Sequence, residues 1–235
     1  MRTALKIVLA TAAFAAVHSA LASHAAKRAA ANVLGERRQR ALYRPFFVAQ
    51  ALLTTAALAR YGSRLPKRTI YRLHGPAAWL CRAGQAAALL QVWAGAREVG
   101  VMRLTGLDGL AAWRRGGEPP EPPAAQGPEL DPASGRLTDG GPFRLSRHPL
   151  NFAGVPLFWL TPHLTTRRLA FNLASTVYFL AGSAHEAARL RAAYGTRYRA
   201  YEAGGVPFFF PRLRVAQPDR PPLPPARSAA GLTAP

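Results

Sequence analysis

Residues 144–154, RLSRHPLNFAG, place Arg147 and His148 directly before Pro149 and an apolar run. Proline suits the first position of a helix because its missing N–H would have no intrahelical partner there. Backbone amides at a helix start can hold an anion, and a basic side chain beside them strengthens that capacity. The pattern therefore predicts an anion site at a helix N-terminus. The structural alternative is a membrane anchor at Arg147 and a solvated cap at His148.

A second polar set follows the apolar residues 169–184. Glu186 comes first, and an acid at a membrane border usually has a functional partner. Three tyrosines come next, at helical spacings of four and three residues: Tyr194, Tyr198 and Tyr201. Together the two sets would suit a ligand that carries both charges. The alternatives are an exposed pair of Glu186 with Arg189 or Arg191, worth about 0.3–0.5 kcal/mol, and an interfacial tyrosine belt.

Several common chemistries lack their motifs in this chain. It contains no Gly-x-Gly fingerprint, no phosphate loop and no serine in a nucleophile-elbow sequence. The six histidines do not stand at spacings that would bring several ligands to one helical face, so no metal site is predicted. Cys81 is the single cysteine, which excludes an intrachain disulfide.

Five apolar segments must position these residues. Basic side chains border the segments, which predicts an all-α, integral-membrane helical bundle of about five transmembrane helices. The last two segments predict a helical hairpin, followed by a cytoplasmic helix. For the first segment, Arg2, Lys6 and a small-residue site at 20–22 leave a cleaved secretory signal as the alternative. The segments are residues 5–22, 46–59, 77–92, 150–164 and 169–184.

The remaining stretches complete the predicted organisation. Residues 1–215 are predicted to form a single domain, within which the Pro/Gly-rich residues 116–132 form a flexible loop. Residues 216–235 are Pro- and Ala-rich without a periodic apolar face, which predicts a disordered tail.

The charge of the chain indicates a membrane partner. Lys and Arg outnumber Asp and Glu by 31 to 11, but they border apolar segments instead of forming one block, so no nucleic-acid partner is predicted. With five crossings, about two thirds of these basic residues fall on one side. That side should be cytoplasmic and should hold the C-terminus, in a bacterial inner membrane.

The order of the motifs resembles the C-terminal half of the isoprenylcysteine carboxyl methyltransferase-like membrane proteins. The matching stretches are GGPFRLSRHPLNFAG, the hairpin, and HEAARLRAAYGTRYRAYEAGGVPFFFP. FWLTPHLTTRRLAF and HSALASHAAKRAA look closer to one branch, the NnrU and methanethiol S-methyltransferase-like proteins. The resemblance covers residues 18–211 and is strongest from Gly141 onward.

The resemblance implies S-adenosylmethionine as cofactor, bound between the hairpin and the cytoplasmic helix. It also implies a small thiol or lipophilic acceptor that arrives partly from the membrane lipid. The chain departs from the family at two positions: Asn151 stands where tyrosine is usual, and His185 where a first acid is expected. The implied cofactor-binding residues are Arg147, His148, Asn151, Gly154, Glu186 and Tyr198.

Two other functions stay open at this point. Membrane sterol-type reductases have a related C-terminal half, so an NADPH-dependent reductase is one alternative. A non-catalytic NnrU-like membrane protein is the other. No residue is assigned as a general base, because a thiol acceptor ionises readily and the methyl donor is already activated.

Overall fold

The computed structural model describes residues 2–131 and 134–212, and the predicted disordered tail at 216–235 lies outside them. The described residues form eight α-helices, a short 3-10 turn at Gly141–Arg144 and two short strands. The helices are α1 Arg2–Ala22, α2 His24–Leu34, α3 Glu36–Arg64, α4 Gly75–Val99, α5 Val101–Thr105, α6 Leu107–Arg114, α7 Pro149–Trp159 and α8 Thr166–Ala203; the strands are β1 Thr69–Arg72 and β2 His163–Thr165.

Each predicted apolar segment is at least partly helical, but the bounds of the helices differ from those of the segments. The second segment lies inside α3, which begins ten residues earlier and runs through Pro45. The fourth segment is helical only as far as Trp159, and the 11 residues of α7 cover about 16 Å. Arg167 and Arg168, predicted to separate the hairpin helices, lie in the first turn of α8.

Two of the predicted spans are confirmed as long apolar helices. Among the residues described, α1 and α3 have the length and composition needed to cross a membrane. The other three crossings stay predictions. Large apolar side chains are nevertheless exposed on α4 and α8 as well, among them Trp79, Leu80, Leu90 and Val177. Exposed apolar surface of this kind needs a cover, which hydrocarbon supplies in a membrane protein.

Polar side chains of α4 and α8 pack against α7. The last carbonyls of any helix lack intrahelical partners. Gln85 Nε2 donates to the carbonyl oxygen of Leu157 at 2.9 Å, and Asn172 Nδ2 donates to that of Phe158 at 3.0 Å. Because buried carbonyls need partners, these internal donors stabilise the end of a short helix. They also explain why the third segment contains glutamines.

The two strands were not part of the all-α prediction. β1 and β2 pair antiparallel, with Tyr71 opposite Leu164 and Arg72 opposite His163. The pairing joins the connection after α3 to the connection between α7 and α8. Both connections were predicted on the same, non-cytoplasmic side, and their contact agrees with that arrangement. The strands form because extended connections at one end of the bundle satisfy each other's backbone groups.

The Pro/Gly-rich loop predicted at residues 116–132 is irregular over its described residues, 116–131, but the second half of this stretch is packed. Ala125 is 1% exposed and Glu129 is 6% exposed. Ala125 belongs to the same buried cluster as Leu190 of α8. Gly127 allows this contact, since a β-carbon at that position would lie 2.4 Å from Leu190 Cδ1. The sequence suggested a flexible connection here, and the structure instead places this half of the loop over α8.

The predicted cytoplasmic helix is the last part of α8. Gly195 breaks the regular helix with φ 52° and ψ −121°, a conformation that favours glycine. Tyr194 therefore lies before the break, and Tyr198 and Tyr201 lie after it. The prediction of three tyrosines on one continuous helix is wrong in this detail, although all three pack on one buried cluster.

Candidate functional site

A buried polar network joins the start of α7 to the middle of α8. His148 Nδ1 lies 3.2 Å from Glu186 Oε2. Asn151 Nδ2 donates to the same oxygen at 2.9 Å and to Ser183 Oγ at 3.0 Å. The backbone N–H of Gln126, in the packed loop, donates to Glu186 Oε1 at 2.8 Å. Both oxygens of this carboxylate are thus held, by groups from two parts of the chain: the start of α7 and the packed loop.

The burial of Glu186 excludes the surface-pair interpretation. Glu186 is 4% exposed and His148 is 2% exposed. Arg191 pairs with Glu202 instead, and Arg189 NH1 donates to the carbonyl oxygen of Ala22 at 3.1 Å. A carboxylate buried this deeply is costly unless it is hydrogen-bonded, and the network supplies that bonding.

The chain after α8 fixes the start of α7. Pro149 occupies the first turn of α7 and His148 is its N-cap residue, as the sequence predicts. Ser146 Oγ donates to the carbonyl oxygen of Phe209 at 2.8 Å and accepts the backbone N–H of His148 at 3.1 Å. The backbone N–H of Arg147 donates to Pro207 at 2.9 Å. The backbone at His148 is therefore fixed by the residues that follow α8, and its ring contacts Glu186 of α8.

Arg147 forms an ion pair that the sequence analysis did not include. Its guanidinium contacts Glu202, which also receives two hydrogen bonds from Arg191, at 2.8 and 2.9 Å. Burial alone would raise the pKa of Glu202, but the hydrogen bond from Arg191 and the charge of Arg147 outweigh it and hold that pKa below its usual value. Glu202 stands four residues after Tyr198, one helical turn further along α8. That spacing could have identified it as a neighbour of the predicted site.

Tyr198 and Arg147 meet around Phe208. Tyr198 is fully buried in a cluster against which Phe208 packs. The Arg147 guanidinium lies 5.4 Å from the centre of the Phe208 ring, and the His148 ring meets the same ring edge-on at 5.1 Å. Burial raises the pKa of Tyr198, with the charge of Arg147 acting in the opposite direction. Its phenol is therefore protonated at neutral pH.

Gly154 allows a close approach of α7 and α8. A β-carbon at this position would lie 2.4 Å from two atoms of the Phe179 ring, closer than side chains tolerate. The missing side chain thus lets Phe179 of α8 lie directly on α7. Gly154 itself makes no contact with the polar network, so it shapes the site without touching its charged groups.

A cavity of about 330 Å³ lies on one side of the network. Asn151 and Glu186 line it, whereas Arg147, His148 and Tyr198 do not. The remaining wall combines aromatic with basic side chains and comes from α1, α2, α3 and α8, with Leu150 of α7 and Ala125 and Gln126 of the packed loop. Those the sequence analysis missed include Phe14, His18, Lys27, Tyr43, Arg44, Tyr178 and Arg189. They lie far apart along the chain, so no local motif could have identified them.

Of the six predicted site residues, four lie together at one end of the hairpin. Asn151, Glu186 and His148 share hydrogen bonds, and Arg147 joins His148 through their contacts with Phe208. Tyr198 packs nearby in the buried cluster. Gly154 lies one further turn along α7. Among the described residues, no group of three or more His, Cys, Asp or Glu side chains could hold a metal ion.

The fold and the site define a class of helical bundle. Two of its helices are long and apolar enough to cross a membrane, and a buried carboxylate, histidine and amide lie at the base of its last hairpin. Within that class the chain is similar to methanethiol S-methyltransferases. It is 36% identical to the enzyme of Pseudomonas deceptionensis over 72 residues, which cover 31% of this chain and 27% of that protein. The similarity to the branch that the sequence resembles is thereby confirmed.

Two other relatives bear the same kind of name. Methanethiol S-methyltransferase 2 of Bradyrhizobium diazoefficiens is 38% identical over 71 residues, 30% of this chain and 27% of that protein. The methanethiol S-methyltransferase of Mycobacterium tuberculosis is 39% identical over 59 residues, 25% of this chain and 24% of that protein. The matches thus span about a quarter of the length of these relatives. No family model and no solved structure matches the chain.

Proposed function

We propose that this chain is an integral-membrane, S-adenosylmethionine-dependent methyltransferase that acts on a small thiol or lipophilic acceptor at the membrane interface. The observation that carries the proposal is the Glu186 carboxylate, which is buried, held at both oxygens and part of the lining of a cavity. A methyl donor with a positive sulfonium needs such a fixed negative charge. The proposal of a thiol acceptor rests on the names of the relatives, which are methanethiol S-methyltransferases.

Unsatisfied polar atoms support a ligand beside this network. Arg147 Nε, His148 Nε2 and Tyr198 Oη are buried and have no hydrogen-bond partner within the described ranges. A buried polar atom without a partner costs roughly 1–3 kcal/mol, so a bound group that satisfies it is favoured. These three residues are among those that the resemblance assigns to the cofactor. The residues present therefore fit a donor that carries a carboxylate, an ammonium and hydroxyl groups.

The donor, when bound, supplies an activated methyl group that a thiolate sulfur takes by in-line displacement, which leaves a thioether and S-adenosylhomocysteine. The protein's part is binding and positioning. Glu186 would balance the positive charge of the donor, and Arg147 would bind its carboxylate. Gly154 and Phe179 pack the hairpin closely, which excludes water from the site.

Glu186 orients the ring of His148. An ionised carboxylate only accepts hydrogen bonds, so the contact with Glu186 requires an N–H on Nδ1 of His148 that donates to Glu186 Oε2. The Nε2 atom has no partner among the described residues and is left for a hydrogen bond with the bound donor. Glu186 thus fixes the orientation of the ring.

Calorimetric titration of the purified protein in detergent tests this proposal. S-adenosylmethionine should bind, and NADPH should not. Glu186→Gln should weaken S-adenosylmethionine at least tenfold, because losing a charge-assisted contact costs about 1.5–3 kcal/mol. Arg199→Gln is the matched control, since it removes one charge from an exposed position of α8 and should leave affinity within about twofold.

Each other result selects a different function. Binding of NADPH but not S-adenosylmethionine would identify a reductase of the sterol type. Binding of neither by a folded protein would leave the non-catalytic NnrU-like function.

A further inference from the structure

The cavity beside Glu186 has two chemically different ends. Phe14 of α1 and Leu52 of α3 belong to the apolar spans. Lys27 of α2, Arg44 of α3 and Arg189 of α8 bring three basic side chains to the same cavity. Leu52 is 67% exposed, so the apolar end lies at the outer surface of the bundle. A small amphiphile could enter from lipid and meet the basic groups.

The basic side chains of the cavity outnumber its single carboxylate. Glu186 is the single carboxylate among the lining residues, and its oxygens are already held by Gln126, Asn151 and His148. Neither Lys27, Arg44 nor Arg189 forms an ion pair within residues 2–131 and 134–212. The two arginines donate to backbone carbonyls instead: Arg44 to Leu104 and Arg189 to Ala22.

Two buried atoms of the lining also lack partners. His18 Nδ1 and Arg189 Nε have no hydrogen-bond partner among the described residues. Burial, followed by the charges of Arg189 and Arg44, lowers the pKa of Lys27 to about 8. The carboxylates of Glu129 and Glu121 oppose that effect without cancelling it. The crowded positive charge therefore favours an anion in the cavity.

We propose that this cavity binds the methyl acceptor as a thiolate, held by the positive charges of Lys27, Arg44 and Arg189. The inference rests on the proposed function, because it identifies the ionisation state in which that function's acceptor is bound. As the thiol binds, its S–H bond breaks, the sulfur keeps the electron pair and the proton is released to solvent. Positive charge lowers the pKa of a thiol for the same reason that it activates cysteine thiolates.

The proposal explains how a thiol could be activated without a dedicated general base. A free cysteine thiol ionises near pH 8.5, so little thiolate exists at neutral pH. Bound among cations, the acceptor would ionise at lower pH and become the nucleophile. The other titratable groups that line the cavity are His18 from α1, Tyr43 from α3, and Tyr178, His185 and Glu186 from α8.

The ionisation of bound ¹³C-methanethiol measures this directly. Its carbon resonance is followed by NMR from pH 6 to pH 11, with excess purified protein in detergent and no methyl donor. The midpoint for bound thiol should lie at least about one pH unit below that of free thiol. Lys27→Met and Arg189→Met should each return the midpoint toward the free value. Arg28→Gln, an exposed neighbour on α2, should leave it unchanged.

Several results would overturn the proposal. One is an ionisation midpoint of the bound thiol that is unshifted or raised in the unmodified protein. This result does not depend on whether any variant folds. Failure to detect binding at millimolar thiol is another, as is an Arg28→Gln effect equal to that of Lys27→Met. A tenfold loss of S-adenosylmethionine affinity in Lys27→Met would assign the cations to the donor's carboxylate instead.

The two proposals can fail separately. Methyl transfer to the thiol without a lowered midpoint would contradict the thiolate site and leave the methyltransferase standing. A lowered midpoint in a protein that transfers no methyl group would contradict the methyltransferase and leave the thiolate site standing.

Discussion

His148 and Glu186, 38 residues apart in the chain, face each other across the last hairpin, with His148 Nδ1 at 3.2 Å from Glu186 Oε2. The contact exists because α7 begins and the apolar part of α8 ends at the same side of the bundle. A charged group at this depth is held only if its partner is equally fixed. The pair therefore links the geometry of the hairpin to the chemistry of the site.

This pair predicts strong coupling between two substitutions. Glu186→Gln and His148→Asn should each weaken S-adenosylmethionine binding, and the double variant should lose much less than the sum. Directly contacting residues typically show interaction energies of about 0.5–3 kcal/mol. Calorimetric titration of a double-mutant cycle gives the value. Combining Glu186→Gln with Arg199→Gln is the control and should be additive; an additive His148 cycle would separate the two residues functionally.

The close packing at Gly154 predicts that a larger side chain there lowers the stability of the fold. Gly154→Ala places a β-carbon 2.4 Å from the Phe179 ring, so the ring or α7 must move. Such overpacking typically costs about 1–3 kcal/mol. Thermal unfolding in detergent measures the loss, and Phe179→Leu should restore part of it. Gly182→Ala on α8, where a β-carbon meets nothing within 4 Å, should cost little; equal losses at both glycines would contradict the account.

Glu202 predicts a pH-dependent contribution to stability. Its pKa is held below the usual value of 4.5, so the folded state binds its proton less readily than the unfolded state. The stabilisation is present above pH 4.5 and is lost as pH falls through the lower, folded pKa. Thermal midpoints of Glu202→Gln should thus lie below those of the unmodified protein at neutral pH. The gap should narrow below about pH 4.5; a constant gap would show that the charge of Glu202 is unimportant.

The distribution of basic residues predicts the topology. The C-terminus and residues 116–132 should be cytoplasmic, because the side with more Lys and Arg near helix ends stays inside. A phosphatase reporter fused after Pro211 should be inactive, and a cytoplasm-active reporter at the same position should work. The opposite pattern would invert the arrangement and place Lys27 and Glu186 outside.

The sequence predicts the helices of the five apolar segments and the hairpin, because apolar run length and bordering charges are local properties. It also predicts Pro149 at the start of α7, since proline's effect on its own turn is local. It does not predict α2, α5 and α6, which lie outside those segments. It does not predict the packed half of the 116–132 loop, where the backbone of Gln126 reaches Glu186. That contact depends on tertiary packing, and a Pro/Gly-rich composition is equally compatible with solvent exposure.

The same reason separates the predicted site residues from the missed ones. Arg147, His148 and Glu186 stand in motifs with a fixed order, so a resemblance could identify them. Lys27 and Arg44 come together with Arg189 only because α2, α3 and α8 surround one cavity. Their charges are ordinary membrane-flanking charges in the sequence. Only the three-dimensional arrangement shows that they form no ion pair among the described residues.

Methyl transfer from S-adenosylmethionine carrying a deuterated methyl group tests the central claim most directly. Purified protein in detergent is incubated with this donor and methanethiol, and the volatile product is analysed by gas chromatography and mass spectrometry. Dimethyl sulfide with one deuterated methyl group should form with the unmodified protein and with Arg199→Gln, and should fall at least tenfold with Glu186→Gln. If methanethiol and a panel of larger apolar thiols yield no labelled thioether with folded protein that binds the donor, the proposed thiol methyltransferase activity is wrong.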